Sequence, residues 1–178
     1  MGHLKKSFAA TMIALVFTAL STNAAVDLTG NTNLAIGKTA SASTKGVNRA
    51  AENAVDGNNG TTWGPDYDAT GEKDGSWWKL DLGSAQAFTT IRINYNNQAP
   101  KKAKIEISNN NTEWTEFAQV GSDYSNAGDN NTYIYKIGHR NAQYIRISCI
   151  EGGAYGMGFN EFEVYNHAYY LTAITVSP

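Results

Sequence analysis

The strongest constraint on the fold is the recurrence of apolar residues at every second position. Trp78, Leu80 and Leu82 alternate with polar residues, and Ile145 and Ile147 do the same further along the chain. A period of two indicates a strand with one face on a core. The same pattern predicts further strands at 91–95, 105–107, 114–117, 134–137 and 162–164.

Turn-forming clusters of Asn, Gly, Ser and Pro separate these segments. Many short strands with no amphipathic helix between them predict an all-β domain, either a β-sandwich or a jelly roll. Ahead of the strands, residues 38–49 are rich in Ser, Ala and Thr and predict a long surface loop. Residues 50–55 predict a single helical turn.

The N-terminal region has the three parts of a secretory signal peptide. Lys5 and Lys6 precede an apolar run at 8–20, and small residues follow at 21–25. The run is shorter than the roughly 20 residues of a membrane span, and no cysteine directly follows it, which argues against a lipoprotein anchor. We therefore expect residues 1–25 to be cleaved. The protein is then secreted or displayed on a cell surface, with the bacterial periplasm as the alternative.

Composition excludes several function classes. A net charge of −2 lacks the basic face that nucleic acid requires. Cys149 is the single cysteine, so there is no internal disulfide, and its strand position predicts a small buried hydrophobe. The three histidines are scattered, so no zinc site or nucleophile–base pair emerges. Glu161 and Glu163 share one strand face, whereas glycosidase carboxyls flank a cleft, and we expect no catalysis.

Residues 52–63 combine a carboxylate, several Asn and Thr oxygens and two glycines in one tight turn. Calcium takes about six to eight oxygen ligands, including backbone carbonyls that a sharply folded loop can converge. An EF-hand would place a bidentate Glu at the twelfth loop position, but counting from Asp56 that position is Tyr67. The segment therefore predicts a structural calcium site that is not an EF-hand. A plain Asx/Gly turn without metal is the alternative.

Short motifs occur in a fixed order along the chain, at 33–35, 53–63, 77–83, 105–114, 143–147 and 160–165. In that order they resemble the coagulation factor 5/8 type C (discoidin-like) domain, and particularly bacterial family 32 carbohydrate-binding modules. The resemblance implies a jelly-roll β-sandwich of the galactose-binding-domain type over residues 26–168. Residues 169–178 form a linker or resemble the start of a bacterial immunoglobulin-like domain.

The resemblance also implies a set of calcium ligands that would clip the first long loop to the last strand. These are the carbonyls of Asn53 and Asn58, the side chain of Asp56, the hydroxyl and carbonyl of Thr61, the carbonyl of Asn160 and the carboxylate of Glu161.

The resemblance further implies that glycans bind on loops at one end of the sandwich. There an aromatic ring would stack on a sugar while polar groups read its hydroxyls. Tyr155, alone among glycines, is the predicted stacking residue, with a loop plug as its alternative role. The other predicted ligand residues are Asp66, Tyr67, Asn97 and Ser76.

Galactose-binding relatives often place an Arg near Asn97 and a His near Ser76, and this chain has neither. Galactose specificity is therefore not assured. Arg49 is either a substitute clamp on the sugar or a solvated side chain. The four tryptophans, Trp63, Trp77, Trp78 and Trp114, fall within the core motifs and are predicted to be buried.

The leading hypothesis is a secreted, non-catalytic and monomeric module that binds glycans weakly. One alternative is an adhesion module for a protein or cell-surface partner. Another is an accessory domain of a larger secreted glycoside hydrolase. Only Tyr67, Tyr155 and Met157 are available as apolar loop residues, so membrane lipid is not the expected partner.

Overall fold

The structure is a computed structural model that describes residues 27–65, 74–95, 97–122 and 131–167. The predicted signal peptide and residues 169–178 lie outside them. In the described ranges no helix is long and apolar enough to cross a membrane. The elements are β1 (Thr39–Ala42), a 3-10 helix (Ala51–Val55), β2 (Trp77–Asn94), β3 (Lys102–Ser108), β4 (Thr115–Val120), β5 (Thr132–Glu151) and β6 (Glu161–Tyr165).

Two strands are far longer than the alternation predicts. β2 has 18 residues and β5 has 20. Their antiparallel pairing breaks between Asp81 and Gln86, where Gly83 has a positive φ of 84°. Because the residues around this break are polar and exposed, the sequence pattern predicts two separate strands. In the structure they form one continuous strand. Each long strand therefore gives one half to each of two layers.

The first layer has the order β1, first half of β2, second half of β5, β3 and β4. The second layer places the first half of β5 and then the second half of β2 beside β6. Every pairing is antiparallel. The fold is the predicted all-β jelly-roll sandwich, with the two long strands running through both layers.

Aromatic side chains fill the space between the layers. Trp78 of the first layer lies 4.8 Å, centroid to centroid, from Phe162 of the second layer. Phe159 lies 4.8 Å from Trp63 and 5.3 Å from Trp78. All of these side chains are fully buried, so this cluster holds the layers together.

Several local predictions are confirmed and others are wrong. Cys149 is buried, and the helical turn at 50–55 is the 3-10 helix. The predicted loop 38–49 contains β1, because its small side chains pair with the edge of β2. Trp77 and Trp114 are only half-buried, because Trp77 lies on the outer side of the first layer and Trp114 precedes β4.

Candidate functional site

The loop between the 3-10 helix and Trp63 gathers oxygen atoms around the Thr61 hydroxyl. Thr61 Oγ1 lies 2.8 Å from Asp56 Oδ2, 2.7 Å from the Asn58 carbonyl and 3.5 Å from the Asn53 carbonyl. A hydroxyl has one proton to donate, so acceptors outnumber donors here. Asp56 Oδ1 also accepts the Asn58 amide at 2.8 Å, which fixes the carboxylate toward the loop interior.

Glu161, at the start of β6, faces this loop. Its side chain is 2% exposed, and within the described ranges neither carboxylate oxygen has a hydrogen-bond partner. Burial, and to a smaller extent the neighbouring Asp56 carboxylate, together raise the pKa of Glu161 to about 7. A buried, unpaired carboxylate beside a second carboxylate is costly unless a cation compensates it.

Asn160 ties the loop to the last strand through its side chain. Asn160 Nδ2 donates to the Asn59 carbonyl at 2.7 Å, and Asn160 Oδ1 accepts the Thr62 hydroxyl at 2.6 Å. The backbones of Trp63 and Phe159 exchange two hydrogen bonds next to it. The structure thus brings the residues predicted for the metal site into one region.

The donor set suits a hard cation. Two carboxylates, two carbonyls and a hydroxyl are all oxygen ligands, as calcium prefers. Among the residues that the structure describes, no three His, Cys, Asp or Glu side chains come together as a metal-binding group. These five groups reach the roughly six to eight oxygens that calcium takes only when a carboxylate binds through both of its oxygens.

Tyr155 lies at the tip of a tight hairpin at the other candidate site. The Gly153 and Gly156 amides donate to each other's carbonyls at 3.3 and 3.2 Å. Tyr155 is 53% exposed, so it does not act as the loop plug that the sequence left open. A Cβ at Gly153 would lie 2.3 Å from the Ala99 carbonyl oxygen, so only glycine allows this close approach.

A carboxylate braces the base of this hairpin. The Gly152 amide donates to Asp74 Oδ1 at 2.8 Å, and Lys101 Nζ lies 2.9 Å from Glu151 Oε1. Charged groups therefore flank the aromatic tip. The predicted ligand residues Asp66 and Tyr67 lie outside the described residues.

Asn97 is exposed and adopts a φ of 64° in the loop after β2. Its Oδ1 accepts Asn131 Nδ2 at 2.6 Å, so the side chain is directed toward the start of β5. The next residue, Gln98, accepts the Gly158 amide at 3.1 Å. The loop of Asn97 therefore packs on the loop of Tyr155, at the same end of the sandwich.

Ser76, another predicted ligand residue, is buried beside the start of β2. Its side chain is 4% exposed, and its carbonyl accepts the Cys149 amide at 2.8 Å. It is buried because it directly precedes β2 and already pairs with β5. A buried hydroxyl presents little surface to a sugar, so the structure adds no support to the prediction for Ser76. Met157, considered as an apolar loop residue, is also fully buried.

Arg49 joins three loops at this end. Its Nη1 donates to the Pro65 carbonyl at 2.9 Å and its Nη2 donates to Gln98 Oε1. The guanidinium is thus neither simply solvated nor turned outward as a sugar clamp. The sequence could not show this contact, since Gln98 is 49 residues away.

Comparison with known proteins identifies the family of this chain. The sequence matches the F5/8 type C domain over residues 38–161. The chain belongs to the F5/8 type C domain family. No curated protein matches its sequence.

Solved structures of the family are similar along most of their length. Chitosan-binding module 1 of a chitosanase/glucanase from Paenibacillus sp. IK-5 is 30% identical, with 75% of this chain and 98% of that module covered and a TM-score of 0.63. Module 2 of the same enzyme, in complex with chitotriose, is 28% identical, with coverages of 75% and 99% and a TM-score of 0.62.

A third relative comes from another organism. The family 32 carbohydrate-binding module of C. perfringens NanJ, in complex with galactose, is 26% identical, with coverages of 71% and 92% and a TM-score of 0.61. These relatives are binding modules, and the present F5/8 type C domain is likewise a non-catalytic module.

Proposed function

We propose that this F5/8 type C domain is a secreted carbohydrate-binding module that takes glycans at the loop end containing Tyr155. The observation that carries the proposal is the half-exposed Tyr155 ring on a rigid glycine hairpin. A tyrosine presents a large flat surface at little entropic cost, which suits the apolar face of a pyranose.

One carboxylate at the base of the hairpin supports an amino sugar. It is Asp74, because Glu151 on the adjoining strand is already paired with Lys101 Nζ at 2.9 Å and with Lys102 Nζ at 3.4 Å. A carboxylate beside an aromatic ring can pair with the ammonium group of glucosamine while the ring stacks on the sugar. The chitosan-binding relatives at 28% and 30% identity support the same class. Chitotriose is therefore the first ligand to test, and galactose the second.

The site is shallow, so binding is weak. A small polar ligand on a wet surface gains little net free energy, and we expect a Kd on the order of 0.1–1 mM per site. Avidity in a larger assembly would raise the effective affinity.

A tyrosine substitution tests the proposal. We expect Tyr155→Ala to weaken chitotriose binding about five- to tenfold, because stacking on an aromatic contributes on the order of 1–1.5 kcal/mol. Tyr155→Phe keeps the ring and should bind nearly as the parent does. Isothermal titration calorimetry in calcium measures both. Undiminished binding by Tyr155→Ala would place the sugar elsewhere, and no binding of any glycan by the folded parent would favour a protein partner.

The same proposal includes a structural calcium ion. The ion would be held by Asn53, Asp56, Asn58, Thr61, the Asn160 carbonyl and Glu161, and the Asn160 side chain would fix the approach of the last strand. The excess of acceptors around Thr61 and the unpaired Glu161 carboxylate support a cation at this place. When bound, calcium would supply a cross-link between the loop and β6 and would neutralise the two carboxylates.

A further inference from the structure

The outer side of the first layer has a cluster of hydrogen-bond donors that is separate from the loop end. We call Trp77, Lys79, Arg146 and Trp114 the donor face. Lys79 of β2 lies directly opposite Arg146 of β5, and residues paired in this way have side chains about 5 Å apart. Trp77 is two residues before Lys79 on the same side of β2, and Trp114 contacts Arg146. The four side chains are therefore contiguous.

Arg146 is held rigidly at the centre of this face. Its Cζ lies 4.2 Å from the Trp114 ring centroid, and its Nε donates to Glu106 Oε2 at 2.9 Å. Its side chain is 25% exposed. Within the part of the chain that the structure describes, its two Nη groups have no protein partner. A pre-oriented guanidinium with unused N–H groups is suited to an oxyanion, which it can bind in a bidentate manner.

Lys79 and the two indoles add further donors. Lys79 Nζ donates to Asn111 Oδ1 at 2.8 Å and lies 5.9 Å from the Trp77 ring centroid, which leaves two of its three protons for another acceptor. Among the described residues, neither the Trp77 nor the Trp114 indole N–H has a hydrogen-bond partner. The donor face thus offers donors and aromatic surface but no acceptor.

The nearby carboxylates are already engaged. Glu106 is 5% exposed and accepts from Arg146, from Ser148 Oγ at 3.0 Å and from Lys104 Nζ at 3.0 Å. Asp81 accepts Gln143 Nε2 at 3.0 Å and the Gly83 amide at 2.7 Å.

Two exposed carboxylates remain near this side of the layer among the described residues. Glu113 directly precedes Trp114, and its Oε2 accepts Asn110 Nδ2 at 3.1 Å. Glu116 is exposed and stands opposite Glu106 on β4. It is thus separated from Lys79 by two intervening strands. The half of the layer formed by β2 and β5 therefore has an excess of positive charge.

We propose that the donor face is a second binding site, which takes the carboxylate or sulfate groups of an acidic polysaccharide. Arg146 and Lys79 bind the oxyanion, and Trp77 and Trp114 contact the sugar rings on either side of it. A polymer fits better than a free ion because the aromatic rings flank the two cations, and a free ion would leave that surface unused. The site is independent of Tyr155 and would let one domain engage two glycans at once.

Affinity electrophoresis of the calcium-loaded domain tests this site. The gels contain hyaluronate for the carboxylate arm, dextran sulfate for the sulfate arm, or neutral dextran. We expect retardation by at least one acidic polymer and none by dextran. Lys79→Gln and Arg146→Gln should each weaken that binding about three- to tenfold, and added salt should weaken it further.

Two variants serve as controls. Lys38→Gln removes an exposed positive charge outside the donor face and should bind as the parent does. Tyr155→Ala should also leave acidic-polymer binding unchanged, which separates this site from the glycan site at the loop end. If Arg146→Gln does not fold, Lys79→Gln decides, because Lys79 makes only peripheral contacts.

Three results would contradict the proposal that the donor face binds an acidic polysaccharide. These are equal mobility of the parent in acidic and neutral gels, an equal loss of binding in Lys38→Gln and Lys79→Gln, or loss of acidic-polymer binding in Tyr155→Ala.

Discussion

Glu161→Gln is expected to abolish the stabilisation that calcium gives this domain. In the parent protein, calcium at about 100 times its Kd should add about 2.7 kcal/mol to the free energy of unfolding. Glutamine keeps the size of the side chain but removes one of the two carboxylates that face the loop. The variant should therefore show little or no rise of Tm with calcium.

Without calcium, Glu161→Gln should be more stable than the parent protein near neutral pH. The pKa of Glu161 is raised to about 7 from an ordinary value of 4.5, so the folded protein holds this proton more tightly than the unfolded chain does. The resulting stabilisation is fully present below the unfolded pKa and is lost as pH rises through the folded one. The metal-free parent should lose about 2–3 kcal/mol between pH 4.5 and pH 7, whereas Glu161→Gln should not.

Thermal unfolding at pH 5 and pH 7.5, in calcium or in EDTA, measures both effects. Glu52→Gln is the matched control, because Glu52 is an exposed carboxylate in the adjacent 3-10 helix. It should respond to calcium and to pH as the parent does. A calcium-induced rise of Tm in Glu161→Gln equal to that of the parent would exclude this carboxylate from the metal site.

Phe159→Ala is expected to lower the free energy of unfolding far more than truncation of a half-buried ring does. Phe159 is fully buried and contacts Trp63, Trp78 and Phe162 at centroid distances of 4.8, 5.3 and 5.7 Å. Removing such a ring costs on the order of 3–5 kcal/mol, which is a large part of the stability of an ordinary domain. Urea unfolding followed by tryptophan fluorescence measures the loss.

Phe117→Ala is the control for this truncation. Phe117 is only half-buried on the edge strand β4, and its removal should cost about 1 kcal/mol. Similar losses for the two variants would mean that the cluster between the layers does not dominate the stability. Because Phe159 pairs with Trp63 and precedes Asn160, Phe159→Ala should also weaken calcium binding.

The fold class could be predicted because alternation is a local signal that survives packing. The separate strands 78–82 and 91–95 could not be joined from sequence, because Gly83 and its polar neighbours have the pattern of a turn. In the structure the chain passes through this stretch as one strand that changes layer. The strand β1 was missed for another reason, since its short Thr, Ala and Ser side chains have no strong alternation.

The two sites differ in how much of them the sequence contains. Most oxygens of the metal loop lie within nine residues, from Asn53 to Thr61, so their convergence follows from one turn. The loop end depends on long-range contacts, such as that between Asp74 and Gly152. Burial of Ser76 likewise depends on its pairing with β5, which no local pattern indicates.

We expect glycans to bind at the loop end containing Tyr155. The most direct test is a titration of the ¹⁵N-labelled, calcium-loaded domain with chitotriose, followed by amide chemical shifts. We expect saturable shifts at residues 152–158 and at Asn97, with unchanged amides at 144–148, the part of β5 that contains Arg146 of the donor face. Shifts confined to other parts of the sandwich, or none at saturating concentrations of chitotriose, galactose and a panel of other glycans, would contradict it.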